Sequence, residues 1–127
     1  MPFNQFQNET YLNMETFRKD GRGVKTPVWF AQEGATLWVW TEASSGKAKR
    51  ARRESQIRVA PCEANGALRG EWAEARAQVD ESAETLKFVS QKFKQKYGLM
   101  FFAFAAMGKL RKARYTAIKV EARGDIR

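Results

Sequence analysis

Pro27 stands in the middle of an apolar stretch, Thr26-Pro27-Val28-Trp29-Phe30, inside a segment from Val24 to Gln32 that otherwise has the composition of a β-strand. A proline has no backbone N–H to give to a strand ladder, so this strand belongs at a sheet edge or at a bulge. Its backbone is then free to meet a ligand.

The neighbouring segments share a period of two. Thr10 to Arg18 alternates Leu12, Met14 and Thr16 against Tyr11, Asn13, Glu15 and Phe17. Lys19-Asp20-Gly21-Arg22-Gly23 reads as a hairpin turn, because Asp-Gly supplies the positive φ that such turns require. After Glu33-Gly34, the segment Ala35–Thr41 sets Leu37, Val39 and Thr41 on one face and Thr36, Trp38 and Trp40 on the other, so neither face is freely solvated. Gln56 to Cys62 points Ile57 and Val59 inward, and Glu63-Ala64-Asn65-Gly66 turns the chain. Glu71 to Val79 alternates the small residues Ala73, Ala75, Ala77 and Val79 with larger ones, as a strand lining a tightly curved barrel would. Tyr115 to Ala122 makes a sixth strand.

Residues 1–9 are expected to form an arm or short helix over the barrel. Asp80 is expected to cap a helix reaching about Tyr97, with Leu86, Val89, Phe93 and Tyr97 as its apolar stripe and Gly98 as its stop. Leu99 to Met107 is continuously apolar but too short to span a bilayer, which takes about 20 residues. Burial against the barrel or a twin subunit is expected for it, followed by a basic cluster from Lys109 to Arg114. The fold class is therefore mainly β: one domain, residues 1–127, built as a six-stranded antiparallel barrel with a helical cover. An open α+β sheet is the alternative.

The second constraint is chemical. The chain carries 23 Lys or Arg against 14 Asp or Glu, a net charge of +9, which calls for an acidic partner. Nucleic acid, an anionic membrane surface and a phosphorylated cofactor all meet that description. There is no histidine and only one cysteine, Cys62. Ser-His and Cys-His nucleophilic pairs and a thiolate or imidazole zinc site within one chain are thus excluded. Cys62 reads as a small half-buried hydrophobe in a reducing compartment. The first residues lack the pattern of a signal peptide, so a cytoplasmic location is expected.

The cations concentrate in Ser44-Ser45-Gly46-Lys47-Ala48-Lys49-Arg50-Ala51-Arg52-Arg53. A turn through Ser44, Ser45 and Gly46 can cap a short helix, whose first N–H groups and positive dipole end then face an anion. Ala48 and Ala51 share one side of that helix and should face the barrel, so the five cations cannot all reach one ligand.

In their order along the chain, Tyr11-Leu12-Asn13-Met14-Glu15-Thr16-Phe17-Arg18-Lys19-Asp20-Gly21, Thr26-Pro27-Val28-Trp29-Phe30, Thr41 with Ser45-Gly46-Lys47-Ala48-Lys49-Arg50, and Val59-Ala60-Pro61-Cys62 resemble the split β-barrel flavin and deazaflavin oxidoreductases. The nearest branch is the small F420-dependent proteins of the pyridoxamine 5′-phosphate oxidase class. The resemblance implies a homodimer with its cofactor in a groove between subunits and a small organic substrate. It implies that Thr26, Pro27, Val28 and Trp29 lie along the flavin-type ring. The segment from Thr41 to Arg50 would hold the phosphate through Lys47, Lys49 and Arg50, helped by Ser44, Ser45 and the Gly46 N–H. Flavin-binding members show Ser-Arg-Lys where this chain has Ser45-Gly46-Lys47, which favours coenzyme F420 over FMN. The several negative charges of the F420 tail also suit a line of cations better than the compact phosphate of FMN requires.

No catalytic residue and no metal ligand is assigned. Trp29, Trp38, Trp40 and Trp72 are read first as core and second as pocket wall. Tyr11, Tyr97 and Tyr115 are candidate proton donors among which the sequence does not choose. A cofactor carrier would share all these features. A nucleic-acid-binding barrel would explain the charge but not Pro27 or the serine-glycine turn, so nucleic acid is not the expected partner, and neither is a membrane, which the apolar run is too short to span.

Overall fold

The chain forms six strands: β1 (Tyr11–Phe17), β2 (Gly23–Glu33), β3 (Thr36–Glu42), β4 (Gln56–Cys62), β5 (Ala73–Asp80) and β6 (Tyr115–Ala122), with burial alternating most clearly along β3 and β5. Three α-helices accompany them, α1 (Gly46–Arg53), α2 (Ala83–Tyr97) and α3 (Leu99–Leu110), with a 3-10 turn at Asn4–Phe6. The computed structural model describes residues 2–110 and 112–123. Met1, Arg111 of the basic cluster and residues 124–127 lie outside the described residues.

The strands close in the order β1-β2-β3-β6-β5-β4, every pair antiparallel, with β4 returning to β1. The mainly β barrel is thus observed, and the open sheet is not. Its interior is filled by Leu12, Met14, Phe30, Leu37, Ile57 and Ile118 with their neighbours, each fully buried. One end is plugged by Phe3 and Phe6, whose rings meet each other and Phe30 edge to face. At the opposite end α1 lays Ala48 and Ala51 on the core, as their spacing predicted.

The barrel does not close evenly. β2 pairs with β1 over seven residue pairs, from Tyr11↔Trp29 to Phe17↔Gly23, but with β3 over only four, from Phe30↔Val39 to Glu33↔Thr36. Between Gly23 and Trp29 the other side of β2 has no strand beside it. Phe30 directs both its N–H and its C=O toward the Tyr97 hydroxyl near Thr10, on the β1 side. By strand alternation Thr26 and Val28 do the same, while Pro27 and Trp29 turn their backbone groups toward the open side. Pro27 sits where its missing donor costs no ladder bond.

The outer face of β2, β3 and β6 is covered by α2. Trp29 stacks on Tyr97 with centroids 4.3 Å apart, Trp38 meets Phe88 edge to face, and Trp40 packs on Phe93 and Phe101. Gly98 ends α2 with φ near +59°, and its N–H closes on the Lys94 carbonyl. The start of α2 differs from expectation. Ser82, not Asp80, is the N-cap and accepts from the Thr85 N–H; Asp80 ends β5, its carboxylate receiving the Ser82 N–H and the Thr85 hydroxyl. β5 begins at Ala73 and leaves Trp72 outside the ladder, under the Arg58 guanidinium.

The apolar run forms α3, and burial reaches only one of its sides. Phe101 and Gly108 are buried, whereas Leu99, Met100, Phe102, Met107 and Leu110 are exposed. A helix turns successive residues by about 100°, so one surface cannot cover a run that is apolar all round.

The Tyr97 hydroxyl bridges two strands and the helix that covers them. It accepts from the Phe30 N–H at 3.0 Å and donates toward the Thr10 and Phe30 carbonyls at 2.7 and 2.8 Å. Burial pushes its pKa well up, so it remains a neutral donor. Tyr97→Phe is expected to strand the Phe30 N–H and lower the stability to urea by about 1–3 kcal/mol. Equilibrium unfolding curves of the two proteins measure it, and equal midpoints would remove the bridge from the account.

Candidate functional site

Where β2 and β3 part, a cavity of about 300 Å³ opens between them, lined by Val28, Trp29, Trp40, Thr41, Glu42, Lys47, Phe93 and Phe104. Each wall comes from a different element: β2 gives Val28 and Trp29, β3 gives Trp40 to Glu42, and α1, α2 and α3 give Lys47, Phe93 and Phe104. Its floor is aromatic and its rim polar. Ligand sites commonly combine apolar walls with a few convergent polar groups.

The polar end is the first turn of α1. Ser45 caps the helix, its hydroxyl oxygen accepting from the Ala48 N–H at 3.2 Å and from the Thr41 hydroxyl at 3.3 Å. The Lys49 N–H goes to the Ser45 carbonyl. Among the described residues nothing accepts from the Gly46 and Lys47 amides, so two first-turn donors remain at the positive end of the helix dipole.

Lys47 stands beside them, half-buried. Burial pushes its pKa down, the Arg50 guanidinium adds to that, and Glu42 opposes it. Arg50 lies across the same turn: a methyl group on Gly46 would meet its Nη1 at 2.7 Å, and its Nε donates to the Thr16 hydroxyl at 2.7 Å. Its pKa is lowered by burial and then by Arg18 and Arg53. Two partly desolvated cations beside two unused amides gain most when a multiply charged anion joins them.

The sequence-predicted residues do not all meet in one place. Val28, Trp29, Thr41 and Lys47 meet around the cavity, and Ser45, Gly46 and Arg50 form the adjoining helix start. Thr26 and Pro27 lie on the unpaired stretch of β2 without lining the cavity. Ser44 and Lys49 are exposed, with Ser44 opening toward a separate cleft beside Arg114. Arg52 and Arg53 turn away: Arg52 pairs with Glu81 and donates to the Ala43 carbonyl, and Arg53 donates to the Phe17 carbonyl.

Glu42, Phe93 and Phe104 complete the lining and were not predicted. Glu42 follows Thr41 directly and was legible as a neighbour of the turn. Phe93 and Phe104 belong to covering helices whose docking no strand period reveals. Of the three candidate tyrosines, Tyr97 is occupied in the strand bridge, and the Tyr115 hydroxyl is buried against Gly108 without a partner among the described residues. Glu15 is held by Arg58, whose Nε lies 2.8 Å away.

No protein-family model matches the chain, and neither does any curated protein. Solved structures do match. HutZ, a heme storage protein from Vibrio cholerae, is similar with a TM-score of 0.72 and 13% identity, over 98% of this chain and 92% of its own. A proposed pyridoxamine 5′-phosphate oxidase from Listeria innocua gives 0.67 and 10%, over 94% and 88%. A protein described as an F420 reductase gives 0.61 and 15%, over 94% and 90%. The chain has the split-barrel fold. At these identities the likeness concerns the architecture alone.

Cys62 lies outside the site, almost wholly buried at the end of β4. Burial first, then Glu63 and Glu9, raise its thiol pKa to about 11 from 9.0. At pH 8 the folded protein should therefore hold about a hundredfold less thiolate than the unfolded chain. Iodoacetamide labelling is expected to be correspondingly slow in buffer and fast in urea, rising with pH toward 11. Rapid labelling of the folded protein at pH 8 would contradict this.

Proposed function

We propose that this protein is an oxidoreductase that binds a flavin-type cofactor in the slot between β2 and β3, with coenzyme F420 as the first candidate and FMN as the alternative. One observation carries the reading: the two unused amides of α1 and the half-buried Lys47 ammonium adjoin an aromatic slot. A planar ring with a phosphate on a short arm has the complementary chemistry.

In this reading Lys47, the Gly46 and Lys47 amides and Arg50 hold the phosphate. Trp29 presents the unpaired backbone of β2 to the ring edge, Val28 lines the slot beside it, and Trp40, Phe93 and Phe104 exclude water. When bound, a deazaflavin supplies the hydride; the chain contributes orientation and dryness, so a slot without histidine or a thiolate meets its requirements. Exposed Lys49 continues the positive surface outward from the phosphate, as suits a tail of several negative charges. The F420 reductase neighbour supports the same choice. The acceptor is a small organic molecule, and a second copy of the chain closes the groove in a homodimer.

Haem, which the likeness to the heme storage protein HutZ raises, fits these residues less well. These 127 residues include no histidine, and the Cys62 thiol is buried and protonated.

Parallel fluorescence titrations with F420 and FMN test the proposal. The wild-type chain should bind F420 more tightly than FMN. Lys47→Ala should weaken binding by about tenfold to a hundredfold, the loss of a charge-assisted contact, with an unchanged thermal midpoint. Equal affinity of variant and wild type for both compounds would refute the phosphate assignment. No binding of either compound, with tight salt-sensitive binding of an oligonucleotide, would refute the cofactor reading.

A further inference from the structure

We propose that α3 docks the protein on the surface of an anionic lipid bilayer. Its outward side exposes Leu99 and Leu110 at 85% each, Met107 at 64%, and Met100 and Phe102 at just over half. At about 100° per residue these five side chains, with Ala103 and Ala106 between them, cover nearly half of the helix circumference. The opposite side, through Phe101, Phe104, Ala105 and Gly108, is the part that packs on the protein. An apolar face of this size marks an interaction surface.

Charge identifies the occupant. Between Thr85 and Val120 the chain has nine Lys or Arg and no Asp or Glu, whereas the remaining residues carry fourteen of each sign. The whole net charge therefore resides in the segment that exposes the apolar face. Lys109 belongs to α3 itself, and the Lys94 Nζ lies 5.6 Å from the ring of Phe102 at the margin of the patch. Lys92 is paired with Glu33, and Lys112 and Arg114 share a cleft with Glu42 and Glu81, so Lys94 and Lys109 are the rim cations that matter most. An apolar helical face bordered by lysines is the pattern of a helix lying in the headgroup region, its apolar side in the acyl boundary.

A second copy of the chain is the poorer occupant. A two-fold contact that set α3 against α3 would bring the lysines of the two rims together with no acid in the segment to separate them. Among the described residues no helix is long and apolar enough to cross a membrane. Docking on the surface departs from the expectation of no membrane partner, which rested on the run being too short to span.

Co-sedimentation of the full chain with vesicles tests the proposal independently of any cofactor. Vesicles of phosphatidylcholine with about a third phosphatidylserine should retain the protein, and pure phosphatidylcholine should retain far less. Leu99→Glu combined with Leu110→Glu should lower partitioning at least tenfold while leaving the thermal midpoint unchanged. Lys94→Glu combined with Lys109→Glu should lower binding to the anionic vesicles by about fivefold or more per lysine. Failure to bind anionic vesicles, or binding indifferent to both pairs of substitutions, would overturn it. So would a fall in oligomer mass caused by the leucine pair in sedimentation velocity without any vesicle binding, which would make the face a protein contact.

Discussion

The short pairing between β2 and β3 is the constraint on which the rest depends. Four residue pairs close the barrel on that side, against seven between β2 and β1, so β2 leaves its neighbour just before Phe30. The departure needs a lock, because a strand free on one side can slide or add a foreign edge. The Tyr97 hydroxyl supplies it by binding the Phe30 backbone beside Thr10. α2 then covers Trp29, Trp38 and Trp40, which stay half-buried, and the slot gains aromatic walls. Pro27 agrees with this plan, for its missing N–H falls on the unpaired side.

Much of the barrel was legible because strand alternation is local. Leu12, Met14 and Thr16 inward, Leu37, Val39 and Thr41 inward, and Ala48 with Ala51 toward the core all follow from periods of 2 and 3.6. The misses occur where local pattern gives no information. Asp80 and Ser82 are both good capping residues two positions apart, and the choice depended on where β5 ended. Leu99–Met107 had no polar positions to break its period, so neither its helical form nor its exposed side could be read. Phe93 and Phe104 reach the slot only because α2 and α3 dock as they do, a tertiary fact.

Within the site, the division among the cations has a physical reason. Helical phase sends Lys47 and Arg50, three residues apart, to the side that faces the slot and the helix start. Arg52 and Arg53 fall on other sides and are consumed by Glu81, the Ala43 carbonyl and the Phe17 carbonyl. Those contacts tie α1 to the end of β1 and to the β5–α2 connection, which fixes the helix over the barrel mouth. One short basic segment therefore does two kinds of work. Half of it holds the fold, and the other half keeps charge and amide donors uncompensated.

That division extends to the whole molecule. Outside the stretch from Thr85 to Val120 the chain carries equal numbers of positive and negative side chains, and among the described residues six of those acids pair with arginines, as Glu15 does with Arg58 and Glu74 with Arg123. The stretch from Thr85 to Val120, which holds most of α2, all of α3 and most of β6, carries the excess. Helices α2 and α3 use their inner faces to wall the slot through Phe93 and Phe104 while their outer faces stay cationic and apolar. A surface engaged by α3 would thus lie one helix diameter, about 10 Å, from the slot.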